Sequence, residues 1–152
     1  MKNIIIPTII ISLSLFLISC SSLPNDPPSL KITTSNITYN THTNGGTWFN
    51  NSNDNWGGNS FDLGMSNSEK LKLIEEIQIP CDTEITLNLS YLKDIVSFKV
   101  YSIQGDDLIE IENSNYIIVT PSTSGEYGYL IEAKWDETHN MNFIFKVNCK
   151  TI

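Results

Sequence analysis

The chain has 152 residues, of which 17 are acidic and nine are lysine, and it contains no arginine, so its formal net charge is −8. An acidic chain without arginine lacks the basic surface that binding to nucleic-acid phosphates requires, so the composition excludes a nucleic-acid-binding protein. A strongly apolar N-terminus indicates instead that the chain is exported.

The first 19 residues have the three parts of a secretory signal. Lys2 provides the positive start, residues 4–18 are mostly Ile, Leu and Phe, and the small Ser19 precedes Cys20. The apolar run is shorter than the roughly 20 residues that a transmembrane helix needs, and a polar segment with prolines follows it. We therefore expect residues 1–19 to be a removed signal peptide.

The sequence Leu17-Ile18-Ser19-Cys20 resembles the lipobox of bacterial prolipoproteins, in which the cysteine thiol receives diacylglycerol. The resemblance implies that Cys20 becomes the mature N-terminus and carries at least two acyl chains, such as palmitate. Two chains suffice for stable anchoring. The resemblance predicts a lipoprotein on the extracytoplasmic side of the bacterial cell membrane. The alternative is an ordinary signal peptide with an incidental cysteine.

Residues 20–29 are predicted to form the lipidated cysteine and a spacer, because the prolines within them disfavour a helix. The domain itself is expected over residues 30–152. Its first part contains short alternating pieces at residues 30–32 and 37–39, which predict strands.

Glycine and asparagine dominate the next part of the domain. Asn44-Gly45-Gly46 predicts a turn, because glycine adopts positive φ at little cost, and a strand is expected to begin at Thr47-Trp48-Phe49. Residues 50–60 are almost entirely Asn, Ser, Asp and Gly with one tryptophan, a composition that cannot form a core. We expect an exposed loop there.

Residues 66–77 are the one candidate for a helix. Ser66 or Ser68 could cap it, Glu69 lies early, and apolar residues recur at helical spacing. The same stretch also fits a loop followed by a strand over residues 76–79. The sequence leaves both interpretations open.

From residue 85 onward, apolar and polar residues alternate as in half-buried strands. The alternating segments are 85–89, 96–100, 109–111, 116–119, 127–135 and 143–147. Turn-forming residues separate these segments about every 8 to 12 residues, a spacing typical of antiparallel sandwiches. The sequence therefore predicts an all-β fold.

With Cys20 assigned to lipid, Cys81 and Cys149 remain as an even pair, which predicts a disulfide in an exported protein. Cys81 has the parity of the inward residues of segment 85–89, and Cys149 has that of segment 143–147. In an immunoglobulin-like topology, the start of the second strand and the end of the last strand lie at one end, where the two thiols could meet. The alternative is two buried free thiols that act as small apolar residues.

Pro121, Gly125 and Tyr127 precede a long alternating strand that ends near Trp135. They resemble the corner that opens the sixth strand of immunoglobulin-like domains, where a tyrosine hydroxyl ties the strand to the preceding loop, and Tyr127 fits that role. Together with Phe143-Ile-Phe145-Lys-Val147, this stretch resembles a domain of uncharacterised lipoproteins of low-GC Gram-positive bacteria. A similar domain occurs in some BlaR-type sensor peptidases. The resemblance implies an immunoglobulin-like antiparallel β-sandwich and no known activity.

Neither histidine, His42 or His139, lies in a catalytic motif, and the sequence has no HExxH, CxxC or Gly-Xaa-Ser-Xaa-Gly pattern. No catalytic residue, cofactor or metal site is therefore predicted. One stretch partly follows the alternating oxygens of a calcium loop but lacks its glycine and distal glutamate: Asn51, Asn53, Asp54 and Asn55. A second group of acidic residues lies further along the chain, and a turn followed by a solvent-exposed strand face accounts for it without a calcium site: Asp106, Asp107, Glu110 and Glu112.

The tryptophans are the best binding candidates, because exposed aromatic rings stack on sugars and anchor partners. Trp48 and Trp135 lie in strand patterns and are expected in the core. Trp56 lies in the polar loop with no apolar neighbour in sequence, which makes it the binding candidate. The alternative is that its ring packs back over the sheet.

These observations lead to three functional hypotheses. The first is a non-enzymatic, lipid-anchored module that binds an envelope protein or a cell-wall component near the membrane. The second, taken from the resemblance alone, is a sensor or inhibitor accessory to an envelope peptidase. The third is an envelope hydrolase, which would require a histidine in a cleft with a carboxylate and a nucleophile.

Overall fold

The computed structural model describes residues 23–52, 55–61 and 64–151. Within these ranges the strands and the helix follow the chain as β1 (Leu30–Thr34), β2 (Ile37–Asn40), β3 (His42–Ser52), β4 (Asn55–Phe61), α1 (Asn67–Leu73), β5 (Glu76–Pro80), β6 (Glu84–Leu89), β7 (Ser97–Gln104), β8 (Asp107–Ile111), β9 (Ile117–Val119), β10 (Gly125–Lys134) and β11 (His139–Lys150).

Two sheets pack face to face, which confirms the predicted all-β sandwich. The smaller sheet has the strand order β2-β1-β6-β9, and the larger has the order β4-β3-β11-β10-β7-β8. All pairs are antiparallel except β5, which pairs in parallel with the second half of β11. The pairing of β6 with β9, opposite β8-β7-β10-β11, is the arrangement of an immunoglobulin-like sandwich.

The core lies between the two sheets and consists of the inward residues of their alternating strands. β10 and β11 supply its centre, because most of the alternate residues that face inward from them are apolar and buried. The most deeply buried large side chains include Trp48, Phe143, Phe145, Ile32, Ile85, Leu87, Ile131 and Met141. Val96 opens the alternating segment predicted over residues 96–100, but the structure does not place it in the core. β7 begins only at Ser97, so Val96 lies in the preceding loop and is exposed.

The glycines at 45 and 46 do not form the predicted turn, because they lie inside β3 as part of a β-bulge. Asn142 of β11 pairs with Gly45 and Phe143 pairs with Thr43, which leaves Asn44 as the extra residue. Gly45 and Gly46 have φ angles of 149° and 133°. The positive φ that suggested a turn is used here to bend a strand.

The loop predicted over residues 50–60 is also wrong, because β3 continues to Ser52 and β4 pairs with it from Asn55 to Phe61. The main chain of an edge hairpin can pair without apolar side chains. Composition therefore argues against a core position at these residues but not against a strand.

Residues 66–80 contain both of the elements that the sequence left open. A short helix, α1, is followed after two residues by the strand β5. Ser66 caps α1 in a capping box with Glu69, whose side chain accepts the Ser66 N–H. α1 packs on the outer face of the larger sheet, in a second cluster with Leu71, Ile74, Tyr101, Ile103, Leu130 and Ile144.

The proline-rich segment before β1 lies against the domain from Leu23 onward. Leu23 packs against the core, Pro28 is buried, and Trp48 Nε1–H donates to the Pro24 carbonyl at 3.0 Å. This segment is therefore part of the packed structure. In the part of the chain that the structure describes, no helix is long and apolar enough to cross a membrane.

Candidate functional site

A groove runs along the side of the sandwich between the ends of the two sheets. Its walls are formed by the end of β8, the outermost strand of the larger sheet, and by β9, the outermost strand of the smaller one. The groove has a volume of about 1090 Å³. It exists because β8 and β9 do not cover the whole side of the sandwich, which leaves inward-facing positions of β7 and β10 open to it.

Tyr129 lies at the floor of the groove with its side chain almost fully enclosed, at 3% exposure. Its ring stacks on Phe145 with a centroid distance of 5.1 Å. Burial, followed by the charges of Cys149 and Tyr127, raises the pKa of Tyr129 to about 12. The hydroxyl therefore stays protonated at neutral pH. No hydrogen bond from this hydroxyl to another described residue is observed, and Tyr129 lines the groove, so the hydroxyl can bond to a ligand that enters it.

Carboxylates surround the groove, and none of its lining residues is basic. Glu84 lies on one side, at the start of β6, and Glu110 and Glu112 lie on the other. Among the described residues, Glu110 is the one of these three carboxylates that forms an ion pair, with Lys99 at 3.0 Å, and both side chains are about half exposed. The groove is therefore negatively charged, with apolar walls that include Ile111, Ile117, Ile118 and Val119.

One backbone position of β9 faces away from its sheet. Leu87 N–H donates to the Tyr116 carbonyl and Thr120 N–H donates to the Thr83 carbonyl, so the even-numbered residues of this stretch face β6. The N–H and carbonyl of Ile117 are bonded to Ser114. Val119, which is 55% exposed, is then the position whose backbone groups are directed outward beside the groove.

Cys81 and Cys149 are free thiols, so the predicted disulfide is wrong. Ile79 of β5, and not Cys81, pairs with Cys149, and the two thiols are neighbours without a covalent bond between them. Cys81 lies further on, where its N–H donates to the Lys150 carbonyl. The Cys149 thiol donates to the Thr123 carbonyl at 3.0 Å, and burial followed by contact with Cys81 raises its pKa to about 11.

Tyr127 makes the hydrogen bond that a tyrosine corner makes. Its hydroxyl donates to the carbonyl of Thr123, four residues upstream, at 2.8 Å. The bond ties the start of β10 to the loop that also accepts the Cys149 thiol. The role of this tyrosine is therefore to hold the loop before β10 in place.

The two histidines lie in different environments, and neither lines the groove. His42 is exposed, whereas His139 is buried with its ring 4.8 Å from that of Trp48. His139 Nδ1 lies 2.9 Å from Asp136 Oδ1, while its Nε2 has no partner among the described residues. In those residues no group of three or more His, Cys, Asp or Glu side chains could hold a metal ion.

The tryptophans predicted for the core, Trp48 and Trp135, are both buried and meet edge to face at 5.0 Å. The backbone of Trp56 lies in β4, paired with Asn51, and its side chain lies outside the described part of the structure. Asn53 and Asp54 of the calcium-loop stretch also lie outside it. Of the later acidic group, Asp106 accepts a hydrogen bond from the Ser68 hydroxyl at 2.6 Å.

Sequence reasoning missed the groove. The sequence predicts a solvated strand face for Glu110 and Glu112, and it places Tyr129 within the alternating segment 127–135 without distinguishing it from its neighbours. The one available signal was Ser102, a polar residue at an inward position of β7 that lines the groove. No protein-family model matches the chain, and no curated protein matches it.

Asp136 gives a testable pH dependence. Burial acts to raise the pKa of Asp136, but hydrogen bonds from His139 and Thr138 outweigh burial and hold it below its ordinary value of 3.8. A carboxyl whose pKa is lower in the folded protein stabilises it above the unfolded pKa, and this contribution is lost as pH falls through the folded pKa. We expect Asp136→Asn to lower the free energy of unfolding at neutral pH and the deficit to shrink below about pH 4.

Urea denaturation at a series of pH values measures this deficit. Glu126→Gln, the same neutralisation at an exposed position of β10, is the control and should give a smaller change at neutral pH. An Asp136→Asn deficit that stayed constant through the acid range would show that the lost stability does not come from the charge.

Proposed function

We propose that the protein is a lipid-anchored binding module on the extracytoplasmic side of the membrane, with acylated Cys20 as its anchor. The side groove is its binding site, and the ligand is an extended polypeptide segment with a cationic side chain. The observation that carries this proposal is the pairing of an unpartnered Tyr129 hydroxyl at the groove floor with a rim of carboxylates and no basic lining residue.

The charges of the groove favour a cationic ligand. Glu84 and Glu112 approach the groove from opposite sides, so a lysine ammonium placed between them would meet negative charge from both. Charge-assisted hydrogen bonds of this kind are stronger than neutral ones, and an acidic protein also attracts cations over longer distances. An anionic ligand would meet repulsion from the same carboxylates.

The backbone geometry favours an extended ligand. The outward groups of Val119 can pair with a peptide backbone, as when a ligand adds a strand to a sheet edge. The Tyr129 hydroxyl can donate to a carbonyl of such a segment, and Ile111 and Ile118 offer apolar contact for its side chains. Backbone pairing would contribute affinity, and the carboxylates would select the charge of the side chain.

The test uses short peptides of alternating apolar residues with one central position varied among lysine, alanine and glutamate. The purified protein is titrated with each peptide, and affinity is measured by calorimetry. We expect the lysine peptide to bind tightest and its affinity to fall as salt is added. The double variant Glu84→Gln/Glu112→Gln should weaken lysine-peptide binding about tenfold and remove most of the preference for lysine.

Two further variants complete the test. Tyr129→Phe keeps the stacking on Phe145 and removes only the hydroxyl, so it should weaken all three peptides alike. Glu126→Gln changes the charge by the same unit outside the groove and should leave affinity unchanged. Equal binding of the lysine and glutamate peptides, or an unchanged affinity of the double variant, would contradict this site.

A further inference from the structure

One end of the sandwich receives the chain from the direction of Cys20. Ser29 N–H donates to the Ser90 hydroxyl, and Ser90 N–H donates to the Ser29 carbonyl, both at 2.9 Å. Further toward the N-terminus, the Pro24 carbonyl accepts the Trp48 indole N–H from the other sheet. Residues 23–29 therefore cross this end of the sandwich, and the chain leaves it beside Trp48.

The same end carries the loop of residues 90–96 between β6 and β7, here called the end loop. It is held near the spacer contact, because the Tyr91 ring lies 6.5 Å from Trp135, which in turn contacts Trp48. Val96 N–H donates to the Lys134 carbonyl at 2.8 Å, which fixes the other side of the loop.

Two apolar side chains of the end loop are exposed. Val96 is 74% exposed and Leu92 is 42% exposed. They lie on a turn in which Ile95 N–H donates to the Leu92 carbonyl, and Asp94 has a φ angle of 60°. The backbone of the loop is thus held by hydrogen bonds while its apolar side chains remain in solvent. Transfer of these side chains from water to an apolar environment would be favourable.

The length of chain between Cys20 and Leu23 limits how far this end can lie from the anchor. However those residues are arranged, three residue steps span at most about 10 Å. The headgroup region on each side of a bilayer is about 5 to 7 Å thick. An anchor at Cys20 therefore keeps the end loop beside the membrane surface for as long as Leu23 and Pro24 stay packed.

We propose that the end loop contacts the membrane in which the protein is anchored, with Leu92 and Val96 entering the headgroup region. This inference rests on the acylation of Cys20 given under the proposed function. The contact is apolar, because the protein is acidic overall and the end loop carries one lysine, Lys93, next to Asp94, which leaves the loop without net charge to attract anionic lipid. Two exposed side chains suffice, since the anchor makes their encounter with the bilayer intramolecular.

This orientation leaves the groove accessible. The end loop joins the ends of β6 and β7 that lie nearest the spacer, whereas Glu84 and Val119 of the groove lie at the opposite end of the β6–β9 pair. The groove therefore opens along the side of a domain that stands on the membrane. A partner could reach it from the aqueous phase or from a neighbouring membrane protein.

The experiment is photo-crosslinking of the full chain, produced in a bacterium that acylates lipoproteins. p-Benzoylphenylalanine replaces Val96 in one variant and Val119, an exposed valine on the side of the domain, in the control. Membranes are illuminated, and adducts are identified by mass spectrometry. We expect lipid adducts at position 96 at least tenfold more often than at position 119, and none at position 96 when Cys20→Ser is added.

Intact-mass analysis of the same samples separates the two possible failures. If Cys20 is acylated but position 96 gives no excess of lipid adducts, or gives protein adducts alone, the membrane contact of the end loop is wrong and the anchor stands. If Cys20 is not acylated, the anchor is wrong and the inferred contact is overturned with it.

Discussion

Replacing Trp48 with alanine is expected to lower the free energy of unfolding by about 3 to 5 kcal/mol, the cost typical of truncating a large buried aromatic side chain. Trp48 is 2% exposed and meets both Trp135 and His139 edge to face. Its removal would leave a cavity between the larger sheet and the spacer. Urea denaturation of Trp48→Ala measures this loss.

A matched pair of milder variants separates the ring from its hydrogen bond. Trp48→Phe removes the N–H that binds the Pro24 carbonyl, whereas Trp135→Phe removes an N–H that has no partner in the described residues. Both rings are almost equally buried. We expect Trp48→Phe, and not Trp135→Phe, to speed hydrogen exchange and proteolysis over residues 23–29. Equal effects of the two variants would show that the spacer is not held by this bond.

The strands that form the centre of the core could be predicted because their sequence alternates without interruption. In residues 127–135 and 143–147 the inward positions are apolar, and the structure buries almost all of them. The capping box at Ser66 was also readable, since its residue types and spacing are local. Structural features that depend on residues close together in the sequence, such as an alternating strand or a helix cap, could thus be predicted from the sequence alone.

Register between distant strands was not accessible. The parity of Cys81 and Cys149 gives the side of the sheet to which a residue points, but not its position along a partner strand. β5 pairs with β11 such that Ile79 lies opposite Cys149, a placement along the strands that parity alone does not give. The bulge at Asn44 escaped prediction for the same reason, because it depends on how β3 aligns with β11.

The groove escaped prediction because it is a gap between two sheets. Its carboxylates come from β6, β8 and the chain after β8, and its floor comes from β10, so no short motif brings them together. The presence and size of the groove depend on how far β8 and β9 extend along the side of the sandwich. The lengths of strands at sheet edges depend on how they pair with their neighbours, and this pairing is difficult to predict from a single sequence.

Gly46→Ala is expected to destabilise the protein by about 3 kcal/mol or more, because a side chain at this bulge meets two separate obstacles. The φ angle of Gly46 is 133°, a conformation that residues with a Cβ rarely adopt. The added Cβ would also collide with the Asn140 carbonyl and lie 2.9 Å from Met141 Cα. Both of these atoms belong to the backbone of the central strand β11, so neither can move aside as a side chain could.

Gly105→Ala provides the control that separates the two obstacles. Gly105 lies in the turn between β7 and β8 with a φ angle of 64°, and an added Cβ there meets nothing within 4 Å. Its substitution should cost only the about 1 to 2 kcal/mol of a left-handed residue with a side chain. If Gly46→Ala costs no more than Gly105→Ala in urea denaturation, β3 can shift on β11 without penalty.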